Sequence, residues 1–159
     1  MRSVLLFVSG ILVALGVQAL IAQSPNRGIV GLNHVGINVP NLDQAVEYYT
    51  KTLGFPEAFR NLDDKGQPQL VYVQISKNTF LELQPAGDRP LGISHFGVVV
   101  DNMADATAMF KQRGANVSEI RPSGTKAILS NVTTPTGVRM ELLELPPESS
   151  HRKAMDRWK

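Results

Sequence analysis

The sequence predicts an α+β protein in which two βαβββ repeats form one domain. The first observation is an internal repeat, because Gly, His, Gly, Val, Asn and Ala recur in place at an offset of 61 residues. The second is the length of 159 residues, which suits one domain and is short for two. The third is the composition, with 43% hydrophobic and 19% charged residues, which is typical of a folded chain.

Each repeat begins with a strand and a helix. The runs 32–39 and 93–100 are apolar and alternating, which indicates strands. A turn with an Asn follows each run, and then apolar residues recur at helical spacing. These are Leu42, Ala45, Val46, Tyr49 and Leu53 in the first repeat, and Met103, Ala106, Met109 and Phe110 in the second. Gly54 and Gly114 stand where helices commonly end.

Three further strands complete each repeat. They are predicted at about 57–61, 69–75 and 79–84, and again at about 116–121, 126–133 and 139–145. One such unit would bury too little apolar surface to be stable alone. We therefore expect one domain over 28–146, made of repeat one (29–86) and repeat two (91–146).

The two ends of the chain differ from this domain. Residues 1–23 have a positive start and an uncharged apolar run, which predicts a signal peptide or an uncleaved anchor. In either case we expect a periplasmic or secreted protein, in contact with a membrane only if the segment is uncleaved. Residues 147–159 are predicted to be a basic, solvated C-terminal tail.

Charge and cysteine content exclude several classes of function. The pI near 9.0 comes from the C-terminal tail, while the predicted domain is slightly acidic, so no nucleic-acid partner is expected. The chain has no cysteine, which excludes disulfides, thiolate zinc sites, iron–sulfur clusters and cysteine nucleophiles.

Two histidines and two glutamates hold matched places in the repeats. His34 and His95 lie in the first strand of each repeat, and Glu82 and Glu141 in the last. A glutamate within an apolar strand is costly to bury without a partner. We therefore predict that the four side chains bind one divalent metal ion, for which zinc, nickel, iron, cobalt and manganese all suit these ligands. The site could form within one chain or across a homodimer.

Three more residues are predicted to contact a small-molecule substrate. Strand alternation places Asn38 on the face of His34, Gln84 on that of Glu82, and Arg139 on that of Glu141. Arg139 is suited to hold a carboxylate or phosphate.

Several motifs carry a resemblance to a known family. They are the strand with His34, the helix end Tyr48-Tyr49-x-x-x-Leu53-Gly54-Phe55, Phe80-Leu-Glu82-Leu, His95-Phe-Gly97-Val and Met140-Glu141-Leu142. The segment 29–145 resembles the vicinal oxygen chelate superfamily, which includes glyoxalase I, methylmalonyl-CoA epimerase, extradiol dioxygenases and the fosfomycin and bleomycin resistance proteins. The ligand pattern is most similar to that of glyoxalase I.

The resemblance to glyoxalase I implies a metal-dependent lyase or isomerase. Such an enzyme would act on a small substrate with vicinal oxygens, through a metal-stabilised enediolate, with Glu141 as the base and Glu82 as the other carboxylate ligand. One alternative is an iron(II) extradiol-type dioxygenase that uses His34, His95 and Glu141. Another is a non-catalytic small-molecule binding or resistance protein, which would not need all four ligands.

Overall fold

The computed structural model describes residues 28–159, so the predicted leader at 1–23 lies outside the described residues. Within this range the chain forms nine strands and three α-helices. They are β1 (Ile29–Val39), α1 (Leu42–Glu47), β2 (Glu57–Leu62), β3 (Pro68–Ser76), β4 (Thr79–Pro85), β5 (Gly92–Val100), α2 (Met103–Gln112), β6 (Asn116–Val117), β7 (Arg121–Pro122), β8 (Ile128–Thr133), β9 (Arg139–Glu144) and α3 (Ser150–Arg157). None of these helices has the length and apolar character needed to cross a membrane.

All nine strands belong to one sheet with two equivalent halves. The order is β2-β3-β4-β1-β5-β9-β8-β6, and β7 pairs with β8. In each half the first strand is parallel to the last, as β1 is to β4 and β5 to β9. The halves join through the antiparallel pair β1–β5. This topology confirms the predicted α+β fold.

Helices α1 and α2 pack against one face of the sheet. Each begins at an asparagine in the same place of its repeat: the side chains of Asn41 and Asn102 accept hydrogen bonds from the backbone N–H three residues on. Leu42 packs with Val71, Val73 and Leu83, and Met103 packs with the equivalent apolar residues of repeat two. The opposite face, which carries Tyr72 and Glu82, is left for other contacts.

Two predicted elements have different bounds in the structure. The helix predicted from Leu42 to Leu53 is α-helical only to Glu47, and one π-helical turn (Tyr48–Thr52) continues it. The strand predicted at 116–121 is divided into β6 and β7. Ser118 lies between them, and its hydroxyl accepts the N–H of Asn131 on the neighbouring strand. A side chain there replaces a backbone partner, and the strand is interrupted.

The C-terminal residues form a packed helix, and the prediction of a solvated end is wrong for this segment. Ser149 caps α3, since its hydroxyl accepts the N–H of Arg152. His151 and Ala154 are 0% and 2% exposed, while the charged side chains of the helix point outward. The composition of this segment is basic and polar overall. It did not indicate an amphipathic helix, because the buried face of that helix has few residues.

His151 is buried among aromatic rings on the face of the sheet opposite α1. Its ring centroid lies 4.7 Å from Tyr72, 4.9 Å from Phe59, 5.5 Å from Phe80 and 6.1 Å from His34. Both ring nitrogens are buried without a hydrogen-bond partner among the described residues. Burial lowers the pKa of His151 to about 3, so the imidazole is neutral in the folded protein.

Replacing His151 by leucine is expected to weaken the acid sensitivity of the fold. An unfolded histidine takes up a proton near pH 6.5 and the folded His151 only near pH 3, so acid favours the unfolded state between these values. Between pH 7 and pH 5, His151 should lower the free energy of unfolding by about 2 kcal/mol. Urea unfolding at both pH values, with a metal chelator present, measures this loss. If the free energy of unfolding fell by the same amount between pH 7 and pH 5 in the original chain and in His151→Leu, the neutral, buried state of His151 would be contradicted.

Candidate metal centre

The side chains of His34, Glu82, His95 and Glu141 meet at one point between the two halves of the sheet. Each contributes a ligand atom, and these atoms all lie within 4.8 Å of one another. The Nε2 atoms of the two histidines are 3.2 Å apart, and both lie 3.6 Å from Oε2 of Glu82. Oxygens of Glu141 lie 3.6 Å and 3.8 Å from the same two nitrogens. The predicted convergence is confirmed, and one chain supplies all four side chains.

Two glycines make room for the imidazole rings. His34 pairs with Gly97 across the β1–β5 junction, and His95 pairs with Gly36. A Cβ atom on Gly36 would lie 2.0 Å from Cε1 of His95, and one on Gly97 would lie 2.3 Å from Cε1 of His34. Each ring therefore covers a glycine of the opposite strand. This accounts for the glycine that recurs two residues after each histidine.

A β-bulge directly precedes each histidine. Leu32 pairs with Val98 but His34 with Gly97, so Asn33 is an extra residue in β1. Further along the junction Gly36 pairs with His95 but Ile37 with Ile93, so Ser94 is an extra residue in β5. Bulges turn a neighbouring side chain out of regular alternation. Sequence reasoning missed Asn33 and Ser94 for this reason, although a polar residue before each histidine was a visible signal.

The bulge residues determine which ring nitrogen carries the proton. Oδ1 of Asn33 lies 3.0 Å from Nδ1 of His34 and can only accept, so this nitrogen donates. The Ser94 hydroxyl donates to the carbonyl of Gly36 at 3.2 Å, and it accepts from Nδ1 of His95 at 2.9 Å. With Nδ1 as the donor, each ring can offer Nε2 as a ligand atom to a cation at the common point, which is the arrangement of metal-bound histidines.

The residues present fit a divalent cation. In their unprotonated form the two Nε2 atoms would place two lone pairs 3.2 Å apart, an arrangement that a positive charge beside them stabilises. Two buried carboxylates at the same point add two negative charges. Nitrogen and carboxylate ligands in this number suit a first-row divalent metal ion.

Both carboxyl groups are ionised near neutral pH. Burial by itself would raise the pKa of Glu82, but its contacts with His95, His34 and Tyr72 outweigh this and lower it. The pKa of Glu141 is lowered for the same reason, since contacts with the two histidines and Arg139 exceed the effect of burial. The site thus presents two charged oxygen ligands.

The two glutamates differ in how firmly they are held. The hydroxyl of Tyr72 donates to Oε2 of Glu82, the oxygen that also faces both histidines. Burial and the charge of Glu82 raise the pKa of Tyr72 well above its usual value, so the phenol keeps this proton. Glu141 instead forms an ion pair of 3.1 Å with Arg139, whose side chain is 45% exposed. Tyr72 is the residue of β3 that contacts the site, and it pairs with Glu82 on the neighbouring strand.

A cavity of about 180 Å³ adjoins the two carboxylates. Asn38 and Gln84 are not among the residues that line it. The Asn38 amide donates to the carbonyl of Pro90 at 2.8 Å, and Gln84 donates to the Ser94 hydroxyl at 3.3 Å. Gln84 thereby supports the residue that orients His95. A role in substrate binding stays a prediction for Asn38, Gln84 and Arg139.

The fold and site together define a protein of paired βαβββ repeats with a buried His and Glu cluster at their junction. Residues 31–142 match the Glyoxalase/Bleomycin resistance protein/Dioxygenase superfamily. The chain therefore belongs to this superfamily, as the sequence motifs predicted.

Comparison with individual proteins agrees with this membership. The chain is 29% identical over 132 residues to the probable chloroplastic lactoylglutathione lyase of Arabidopsis thaliana, an alignment with 72% of this chain and 35% of that protein. It therefore spans about a third of the Arabidopsis relative. It is 27% identical over 126 residues to the lactoylglutathione lyase of Escherichia coli O157:H7, with 71% of this chain and 91% of that protein covered.

The solved structures show the same fold. Methylmalonyl-CoA epimerase from Mycobacterium tuberculosis superposes with a TM-score of 0.67 at 20% identity, over 80% of this chain and 95% of that one. These relatives are enzymes, which supports an enzyme of this superfamily.

Proposed function

We propose that the protein is a divalent-metal-dependent lyase or isomerase that acts on a small substrate with vicinal oxygens. The observation that carries the proposal is the pair of histidine Nε2 atoms 3.2 Å apart, with oxygens of both Glu82 and Glu141 within 3.8 Å of them. The named activities of the relatives, a lyase and an epimerase, support the same reaction class. A divalent cation held by these four side chains would polarise the substrate oxygens and offset the negative charge that develops on them.

Glu141 is the base that removes a proton from the carbon next to the substrate carbonyl. A base must be ionised, near the substrate and free to move. Glu141 is ionised and lines the cavity, and among residues 28–159 only the side chain of Arg139 forms an ion pair with it from outside the cluster. Glu82 is less suited because the Tyr72 hydroxyl occupies the oxygen that faces the histidines.

Arg139 gives the detached carboxylate an alternative partner. Its guanidinium already lies 3.1 Å from Oε1 of Glu141, the oxygen farther from the histidines at 3.8 Å. A short movement of the side chain toward Arg139 would free Glu141 to accept a proton while its charge stays compensated. Delivering that proton to the neighbouring carbon would complete an isomerisation.

The dioxygenase alternative receives less support from the geometry. It would use His34, His95 and Glu141 and leave Glu82 aside. Yet Oε2 of Glu82 is as close to both histidine nitrogens as the oxygens of Glu141 are. His151 lies beside His34, but it is fully buried and is not among the residues that line the cavity.

Parallel assays of metal-loaded and metal-stripped protein test the proposal. One set contains methylglyoxal with glutathione or another thiol, and the other contains catechol with measurement of oxygen uptake. We expect metal-dependent turnover or α-proton exchange in the first set and no oxygen uptake in the second. Oxygen uptake with catechol would favour the dioxygenase. A protein that takes up no metal ion even when metal is supplied would favour a non-catalytic binding protein.

A further inference from the structure

The space beside the carboxylates is small, and α3 packs against residues that line it. Ala154 packs with Tyr72 and Phe80, and His151 covers the ring of His34. The remaining cavity of about 180 Å³ lies below the range of about 300–1,000 Å³ typical of pockets for drug-sized ligands. The part of a substrate that lies within it therefore has only a few carbons.

A polar loop of repeat two forms the open end of this cavity. Gly124 approaches β2 of repeat one so closely that a Cβ atom there would lie 2.8 Å from Nδ2 of Asn61. The Ser123 hydroxyl accepts the N–H of Ala127 at 3.0 Å, and the carbonyl of Thr125 accepts the N–H of Ser150 at 2.9 Å. The loop is therefore tied both to itself and to the start of α3.

Arg121 is the cation at this open end. It lines the cavity together with Glu82 and Glu141, and it is exposed. No hydrogen bond or ion pair joins its side chain to another residue of the described range 28–159. An uncommitted guanidinium at the entrance of a polar cavity is suited to bind a carboxylate through two parallel hydrogen bonds.

The charge of the loaded site also favours an anion. A divalent cation would balance Glu82 and Glu141, the acidic residues that line the cavity. The charges of Arg121 and Arg139 would then remain, which makes the site positive. A positive, partly enclosed cavity attracts small anions and raises their association rate.

On the basis of the proposed function, we propose that the substrate is a small 2-hydroxy or 2-oxo acid with a second carboxylate, and that Arg121 binds this second carboxylate. The hydroxy or oxo end lies at the metal centre. The second carboxylate lies at the open end, where Asn61 offers a further amide donor.

Calorimetric titration of the zinc-loaded protein with L-malate and L-lactate tests this proposal. The two probes share the 2-hydroxy acid end, and only malate carries a second carboxylate. We expect malate to bind at least about tenfold more tightly, as a charge-assisted hydrogen bond provides. In Arg121→Gln this ratio should fall to near one, while Arg121→Lys should keep part of it. Lys111→Gln, which removes an exposed charge from α2, is the matched control and should leave the ratio unchanged.

The outcomes separate this inference from the proposed function. Equal affinities for malate and lactate, or a ratio that Arg121→Gln does not change, would overturn the role of Arg121. If lactate nevertheless binds only when zinc is present, the proposed metal-dependent function stands without a role for Arg121. Binding of both acids that persists after zinc removal would overturn the proposed metal-dependent function itself. Circular dichroism of each variant verifies that it is folded.

Discussion

Replacing Glu141 by glutamine is expected to reduce turnover by about 10²–10⁴-fold while the protein still binds its metal ion. The amide keeps the size and one oxygen of the carboxylate, so three original ligands and a weak fourth remain. It cannot accept a proton from carbon at neutral pH. Metal content by atomic absorption and turnover on the same sample measure both effects together.

Glu82→Gln is the matched control for this experiment. Glu82 occupies the equivalent strand position, and the Tyr72 hydroxyl holds the oxygen that faces both histidines. We expect it to weaken metal binding more than it slows turnover at saturating metal. An equal loss of turnover in both variants would refute the assignment of Glu141 as the base, and so would a fully active Glu141→Gln.

Replacing Gly36 by alanine is expected to weaken metal binding at least about a hundredfold, the upper end of effects from residues outside the ligand set. The new Cβ atom would lie 2.0 Å from Cε1 of His95, a ring whose Nδ1 is held by the Ser94 hydroxyl. Either His95 turns away from the cluster or β1 shifts from β5. Overpacking of this kind also costs about 1–3 kcal/mol of folding stability.

Gly31→Ala provides the control within the same strand. No heavy atom lies within 4 Å of a Cβ placed on Gly31, and its backbone does not require glycine. We expect Gly31→Ala to bind metal as the original chain does. Competition with a chromophoric chelator measures affinity, and urea unfolding measures stability. Tight metal binding by Gly36→Ala would show that the ring of His95 does not occupy the position described.

The repeat made much of this fold and site predictable from the sequence. An offset of 61 residues relates His34 to His95, and an offset of 59 residues relates Glu82 to Glu141. The topology brings these equivalent places together at the β1–β5 junction. The recurring glycines were visible as well. Their purpose became clear only from the register, because a strand sequence does not reveal which residue lies across from it.

Other features depend on departures from regular structure. The face on which a strand side chain lies is inferred from regular alternation, and the bulges at Asn33 and Ser94 interrupt this alternation. The hydrogen-bond partners of the two histidines were therefore not predicted. Helix α3 was not predicted for a different reason. Its buried face contains His151, a residue that charge counting assigns to the solvent. Arg121 lies in a two-residue strand, and only the packing of its loop near β2 places it at the cavity.

Equilibrium dialysis of the metal-stripped protein against Zn²⁺ tests the central claim, that His34, Glu82, His95 and Glu141 form a metal centre. We expect one tightly bound ion per chain and its loss in a variant with both His34→Gln and His95→Gln. A chain that binds no ion, or a double variant that still binds one with the original affinity, would show that these four residues do not form a metal centre.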